Sequence, residues 1–415
     1  MSNNKSLLSG VRVVELANFI AAATAGRFLA DLGADVIKIE AAQGDPLRFT
    51  APSEGRPLDM YENTTWELEN ANKRCVSLNI KVPEGKEAFF KLLDKADVLI
   101  TNWRIQALER AGLGYESLKE RFPKLVYAIC TGYGELGPDK DLPGFDFTAF
   151  FARAGYLECL RQADGKPMNV VPGLGDHNVG MNLAAGILAA LYHAKQTGKG
   201  EKVETSLYET AIFNMGMMVQ AAQYTDYGKR YPINSAENDN PCNNAYKTKD
   251  GRYIQICFPN YNVYFKTFAG CLGRPELGEN DRYYPIQNLQ ANGLTTEMYD
   301  IIAECFAQKN ADEWEKILTE ADLPFARARN WEEMLVDPQA WANDCFYKMQ
   351  YANGNERTLV RPPVRFREMG TPKYDRGPLI GEHGPEVLAE LGYSDSQIKD
   401  MLESKALFVW EDKDK

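Results

Sequence analysis

Residues 171–181 read VPGLGDHNVGM, placing Gly173, Gly175, Asp176, His177 and Gly180 directly ahead of the apolar run NLAAGILAALYHA. An Asp before an apolar-periodic run is a good helix N-cap, because its side-chain oxygen can accept a first-turn amide. Capping does not call for Gly173 and Gly175 just before the Asp, or for Gly180 within the first turn, where Gly costs about 1 kcal/mol relative to Ala. Such glycines suit close approach of a ligand to the backbone. A carboxylate is ionised at neutral pH and acts as a nucleophile without a partner base. That suits a chain with 3 histidines, at 177, 193 and 383. Attack on a thioester would give an acyl-aspartyl anhydride, with the amides of a glycine-rich turn stabilising the oxyanion. The two readings pull apart, since an Asp whose oxygens are spent on capping is a poorer nucleophile. His177 is expected on the surface of the capped helix.

Other chemistries lack their residues. There is no H-E-x-x-H, G-x-x-x-x-G-K-[ST] or G-x-S-x-G, which removes zincins, P-loop ATPases and the usual α/β-hydrolases. Glu40 ends a second strand where a ribose-binding acid would sit, but the first loop, ANFIAAATA, has no G-x-G-x-x-G for a pyrophosphate. The 8 cysteines form no C-x-x-C pair, so reduced thiols and no metal site are expected. A net charge of -11 with scattered Lys and Arg excludes a nucleic-acid footprint. The start, MSNNKSLLSGVRVVEL, lacks the pattern of a signal peptide, and the apolar run at 181–194 is too short to cross a bilayer, so a cytoplasmic location without membrane partners is expected.

The elements that must hold Asp176 read as α/β. VRVVEL, ADVIKIE, CVSLNI, ADVLITN and KLVYAICTGYG are short β-rich runs, most of them separated by helix-length segments, which predicts a Rossmann-like parallel sheet with covering helices. After the helix that follows Asp176, KVETSL reads as another strand. From about residue 230 the character changes to a hairpin turning at Lys249–Gly251, then acidic helices, with a second hairpin signal at Asn353–Gly354. We expect a large domain over 1–227, a smaller α+β domain over 228–345, and a segment 346–415 returning to the large domain. Trp103, Phe147, Phe150 and Phe151 would line an apolar pocket or, as the commoner case, the core.

The ordered set LSGVRVVEL, LGADVIKIE, GDPLR, ENANKRCVSLNIK, TGYGELGP, GLGDHNVGM, YHAKQTGKGEKVETSL, RPPVRF and GEHGPEVLAELGYS resembles the class III CoA-transferases, the formyl-CoA and carnitine CoA-transferase group, from residue 9 to about 400. ELANFIAA, RFTAPSEGRP, LITNWR, GPDKDLPGFDFTAFFAR and VVPGLGDHNVGM are most similar to the 2-hydroxyacyl CoA-transferases of amino-acid-fermenting anaerobes, which act on phenyllactate or 2-hydroxyisocaproate. The resemblance implies an acyl-CoA donor, commonly an enoyl-CoA, and an (R)-2-hydroxy acid acceptor. CoA thioester is thus a substrate, with no permanently bound cofactor. It implies an interlocked-ring homodimer, Asp176 as the nucleophile, and a functional link to a 2-hydroxyacyl-CoA dehydratase. Tyr133 and Glu135 of TGYGE are its secondary catalytic candidates.

For CoA, the resemblance implies contacts from Asn18, Ile20 and Ala21 in the first loop, Lys38, Asn72, Lys73 and Arg74, Asn102, Trp103 and Arg104, and Arg110. Arg pairs bidentately with phosphate, and ligands collect at the carboxyl ends of parallel strands. Two rivals follow the same fold. An α-methylacyl-CoA racemase would use a His where Phe145 stands, and a non-catalytic CoA-binding subunit would bind without exchange. The glycine-rich loop that formyl-CoA transferases place before the small-domain hairpin is replaced by SAENDNPCNNAY.

Overall fold

The computed structural model describes residues 6–224, 231–370 and 372–411. Two compact units result, one of Met1–Ala154, Val170–Met217 and Pro338–Lys415, the other of Gly155–Asn169 and Met218–Asp337. These limits differ from the expected ones. Gly155–Asn169, with α6 (Tyr156–Cys159), belongs to the second unit, because Gln162 exchanges hydrogen bonds with Ser235 at 2.9–3.3 Å. The return to the first unit comes at Pro338 rather than at 346. The expected 227/228 boundary lies outside the described residues.

The first unit is built on a seven-stranded sheet. Its chain runs β1 (Arg12–Leu16), α1 (Ala21–Asp31), β2 (Asp35–Glu40), α2 (Thr64–Asn70), β3 (Arg74–Leu78), α3 (Pro83–Asp94), β4 (Val98–Thr101), α4 (Ile105–Ala111), α5 (Tyr115–Arg121) and β5 (Val126–Thr131). A π-helical segment (Asp146–Ala152), α7 (Leu174–Thr197), β6 (Lys202–Ser206) and α8 (Leu207–Asn214) follow. The strand order is β3-β2-β1-β4-β5-β6, all parallel, and a short C-terminal strand, Leu407–Phe408, adds antiparallel to β3. The order turns back at β1, so the crevice outside the ends of β1 and β4 is the natural ligand position of such a sheet.

The inner strands are mainly apolar and buried, as a parallel sheet covered on both faces demands, whereas the edge strand β6, KVETS, is polar and only partly buried. Two exceptions face each other: Glu15 of β1 and Lys38 of β2 are register partners, both with no exposed side-chain surface. α1, AAATAGRFLAD, is buried at every residue, which its small side chains permit by letting α7 pack closely over it. At that crossing a Cβ on Gly180 would stand 2.5 Å from Thr24 Cβ and 2.6 Å from the Ala21 carbonyl. The second unit has its own apolar core, centred on Phe258, Phe265, Phe268, Phe306 and Trp314, beside an antiparallel sheet of Ala245–Lys247, Tyr253–Ile256 and Phe325–Arg327. Among the described residues no helix is long and apolar enough to cross a membrane.

Candidate active site

α7 begins three residues earlier than an Asp176 N-cap would place it, so Asp176 is its third residue and Gly173, at φ +85°, is the N-cap. The cap is supplied from another segment. Asp146, first residue of the π-helical segment, accepts the Gly173 N–H at 2.8 Å on Oδ2. Among the described residues the Asp176 carboxylate takes part in no hydrogen bond, and its side chain is partly exposed. Capping therefore falls to Asp146, and the Asp176 carboxylate is not spent on it.

The glycines around Asp176 serve packing more than ligand approach, which corrects the reading of them as ligand space. A Cβ on Gly175 would overlap Asp146 Oδ1 and the Phe150 ring, and Gly180 is set by the α1 crossing. Gly173 is itself buried, but a Cβ on it would make only ordinary contacts, 3.4 Å from Ile20 Cδ1 and 3.5 Å from His177 Cε1. Asp146 is held in turn by a backbone contact, since a Cβ on Gly132, just after β5, would stand 2.7 Å from Gly144 Cα.

His177 is tied into the site. Its Nε2 lies 2.7 Å from Oε1 of Glu69 at the end of α2, whose side chain is 2% exposed, and the Thr24 hydroxyl donates to the other Glu69 oxygen at 2.8 Å. Three carboxylates therefore surround one imidazole. Burial, then the charges of Asp146 and Glu69, push the Asp176 pKa up to about 7, with His177 opposing. Burial works against the His177 cation, but Glu69, Asp176 and Asp146 outweigh it and raise its pKa. Burial also raises the Asp146 pKa, against the pull of the Gly173, Gly175 and Asp176 amides and of His177.

The structure divides the expected CoA residues. Lys38 and Lys73 are interior and cannot meet a ligand. Lys38 Nζ lies 3.0 Å from Glu15 and from Asp45 and donates to the Ala17 carbonyl at 2.8 Å, while Lys73 Nζ lies 2.7 Å from Glu15 and donates to the Ala23 carbonyl at 2.9 Å. Asn72 and Arg74 stand at the opposite end of the sheet, where β3 begins. Arg74 pairs there with Asp35 at 2.7 Å and Glu390 at 2.6 Å, and Asn72 donates to Asp31 at 2.9 Å. Ala21 is buried in α1, and the ribose-type acid Glu40 is fully engaged with Arg48.

The loops after β1 and β4 do come together. The Asn18 N–H donates to Asn102 Oδ1 at 3.0 Å, and Asn102 Nδ2 donates to the Asn18 carbonyl at 2.7 Å. Asp45, steadied by Lys38, accepts the N–H of Phe19, which holds a positive φ of 59°. Ile20 then reaches the first turn of α7. Beyond β4, Trp103 packs against the core, whereas Arg104 and Arg110 are exposed and form no ion pair among the described residues. Sequence reasoning missed Lys81, the exposed cation just past the carboxyl end of β3.

Tyr133 stands in the loop after β5, its ring 6.2 Å from that of Tyr208, and Glu135 is ion-paired with Lys202. Phe150 and Phe151 are core residues, while Phe145 and Phe147 are 59% and 48% exposed. Asp146 and Glu69 were also missed. Asp146 sits in GFDF without a capping pattern of its own, and Glu69 is far in sequence from the histidine it holds.

The model of CoA-transferase family III matches residues 8–384. The chain is 54% identical over 413 residues to a cinnamoyl-CoA:phenyllactate CoA-transferase of Clostridium sporogenes, covering 100% of both chains. It is 43% identical over 401 residues to an (R)-2-hydroxy-4-methylpentanoate CoA-transferase of Clostridioides difficile, covering 97% of this chain and 99% of the relative. Among solved structures, a CAIB/BAIF family protein from Brucella suis superposes with a TM-score of 0.77 at 27% identity, over 93% of this chain and 99% of that one. With an uncapped, partly exposed aspartate at the start of α7 and matches of this extent, the chain belongs to CoA-transferase family III.

Proposed function

We propose that the enzyme moves CoA from an acyl-CoA, best an α,β-enoyl-CoA, to an (R)-2-hydroxy acid such as phenyllactate or 2-hydroxyisocaproate, with Asp176 as the nucleophile. The observation that carries this reading is the free Asp176 carboxylate beside a cap made by Asp146. An Asp176 oxygen attacks the thioester carbonyl and expels CoA thiolate, giving a mixed anhydride. The thiolate then attacks the Asp176 carbonyl, which releases the donor acid as its carboxylate and leaves an aspartyl-CoA thioester. The acceptor carboxylate attacks that thioester, the thiolate leaves and attacks the acceptor's acyl carbonyl, and the Asp176 carboxylate is regenerated. One thioester replaces another, so no ATP is needed.

Lys81, Arg104 and Arg110 are the cations we assign to the CoA phosphates, being exposed at or near the carboxyl ends of β3 and β4. Tyr133 and Asn18 border the acyl end in this reading. Loss of water from the product 2-hydroxyacyl-CoA would regenerate an enoyl-CoA donor, which fits a dehydratase as the next enzyme. We further propose the interlocked homodimer. Phe213 and Met217, 82% and 86% exposed in the single chain, support a large apolar contact there.

Incubation with acyl-CoA followed by hydroxylamine is expected to mark Asp176, read by peptide mass spectrometry. Asp176→Ala should lower turnover by at least about a thousandfold, and an active Asp176→Ala protein would overturn the reading. Light scattering should return twice the chain mass. A racemase would exchange the α-hydrogen of acyl-CoA for deuterium without any acceptor acid, and the absence of a His at position 145 speaks against it.

A further inference from the structure

Three groups act on Asp176 by charge: Asp146 and Glu69 repel a second anion, and His177 attracts one. The transfer proposed above brings the carboxylate of the acceptor acid to this place. At that moment Asp176 is a neutral thioester, but Asp146 and Glu69 remain. Lys38 and Lys73 cannot meet the acid, since both are enclosed with Glu15. An anionic acceptor therefore needs a cation on the surface of the site.

His177 has the geometry for that task. Its Nε2 is bound by Glu69, whose second oxygen is taken by Thr24, so the ring is fixed from below. The imidazole side chain is 39% exposed, and Nδ1 has no hydrogen-bond partner among the described residues. That edge faces Gly173 and Ile20: a Cβ on Gly173 would stand 3.7 Å from Nδ1 and 3.4 Å from Ile20 Cδ1. A hydrogen-bonded, buried carboxylate behind an imidazole fixes its orientation and favours the cation. The charged groups facing His177 are Glu69 from α2, Asp146 from the π-helical segment and Asp176 on α7 itself.

We propose that His177 is the acceptor-binding residue of this enzyme, its Nδ1–H receiving the carboxylate of the incoming 2-hydroxy acid and, earlier in the cycle, that of the departing donor acid. Glu69 is the positioning residue that holds it. This rests on the reading of Asp176 as nucleophile. It explains why a helix-surface position next to the nucleophile carries a histidine backed by an interior glutamate.

The test separates the half-reactions, using phenyllactate as acceptor and an enoyl-CoA as donor. His177→Asn should raise the acceptor KM at least about tenfold, while the rate of Asp176 adduct formation from acyl-CoA alone falls by a smaller factor. Glu69→Gln should raise the acceptor KM less and move its pH inflection downward. In the unaltered enzyme the acceptor KM should climb as pH rises above the ordinary histidine range and the imidazolium, favoured by Glu69, is lost. This needs no variant to fold. An acceptor KM within about twofold of the parent in His177→Asn, or flat with pH in the parent enzyme, overturns the proposal. Failure of the parent enzyme to form any Asp176 adduct would instead sink the nucleophile reading beneath it.

Discussion

Glu15, Lys38, Asp45 and Lys73 form a group of two carboxylates and two ammoniums in which no side chain is exposed. A short distance along α1, Glu69, Asp146 and Asp176 surround His177, with the charge of Lys73 also felt by Glu69, and there Asp176 and His177 reach the surface. Each charge in the first group has a partner within 3.0 Å. Around Lys38, burial works against the ammonium but Glu15, Asp45 and Glu40 outweigh it and raise its pKa. The second group is short of positive charge, and its nucleophile is held close to neutrality in pKa. Balance makes a scaffold, and imbalance leaves a carboxylate ready to be consumed by an acyl group.

The contrast can be tested by removing one charge from each side. Glu15→Gln leaves Lys38 with Asp45 alone and Lys73 with no carboxylate in contact. The expected loss is about 3–5 kcal/mol in urea denaturation, the usual cost of breaking a buried pair. Asp176→Asn should act with the opposite sign. Its folded-state pKa of about 7 lies above the unfolded value, so ionisation of the parent carboxylate opposes folding increasingly from about pH 4 to 7 and fully above that. The inactive variant should be the more stable by roughly 1–3 kcal/mol at pH 8, with the gain vanishing near pH 4. A gain independent of pH would show that strain rather than charge was relieved.

The smallest expected effect comes from Gly175→Ala. Its Cβ would overlap Asp146 Oδ1 and the Phe150 ring, so overpacking should cost about 1–3 kcal/mol while disturbing the cap. Measured by thermal unfolding and turnover together, it should lower both. A stable Gly175→Ala protein of unchanged activity would mean that Asp146 is dispensable for arranging Asp176.

Much of this was legible in the sequence. The apolar runs VRVVEL and ADVIKIE mark β1 and β2 because a sheet covered on both faces is mainly apolar, and GLGDHNVGM marks the start of α7, where Asp176 stands. The same rule held an unused signal. A Lys between Ile37 and Ile39 in such a strand has no route to solvent, and a Glu at the same place of the preceding strand is its register partner. Reading Lys38 as a phosphate ligand overlooked this, and Lys73, one residue before β3, stands at the amino end of that strand rather than at the carboxyl end where ligands collect. Asp146 and Glu69 were beyond reach. They meet α7 through tertiary contacts 27 and 108 residues long, which no local pattern encodes.

The touching glycines at 132 and 144 bind the exit of β5 to the turn that carries Asp146 by main chain alone. Phe145 and Phe147 project outward on either side of Asp146, and the Phe145 ring meets that of Phe19 edge-on at 6.0 Å. A side chain at either glycine would push the exit of β5 away from the turn that carries Asp146, so the cap on α7 is tied to the sheet through a place that tolerates almost no substitution.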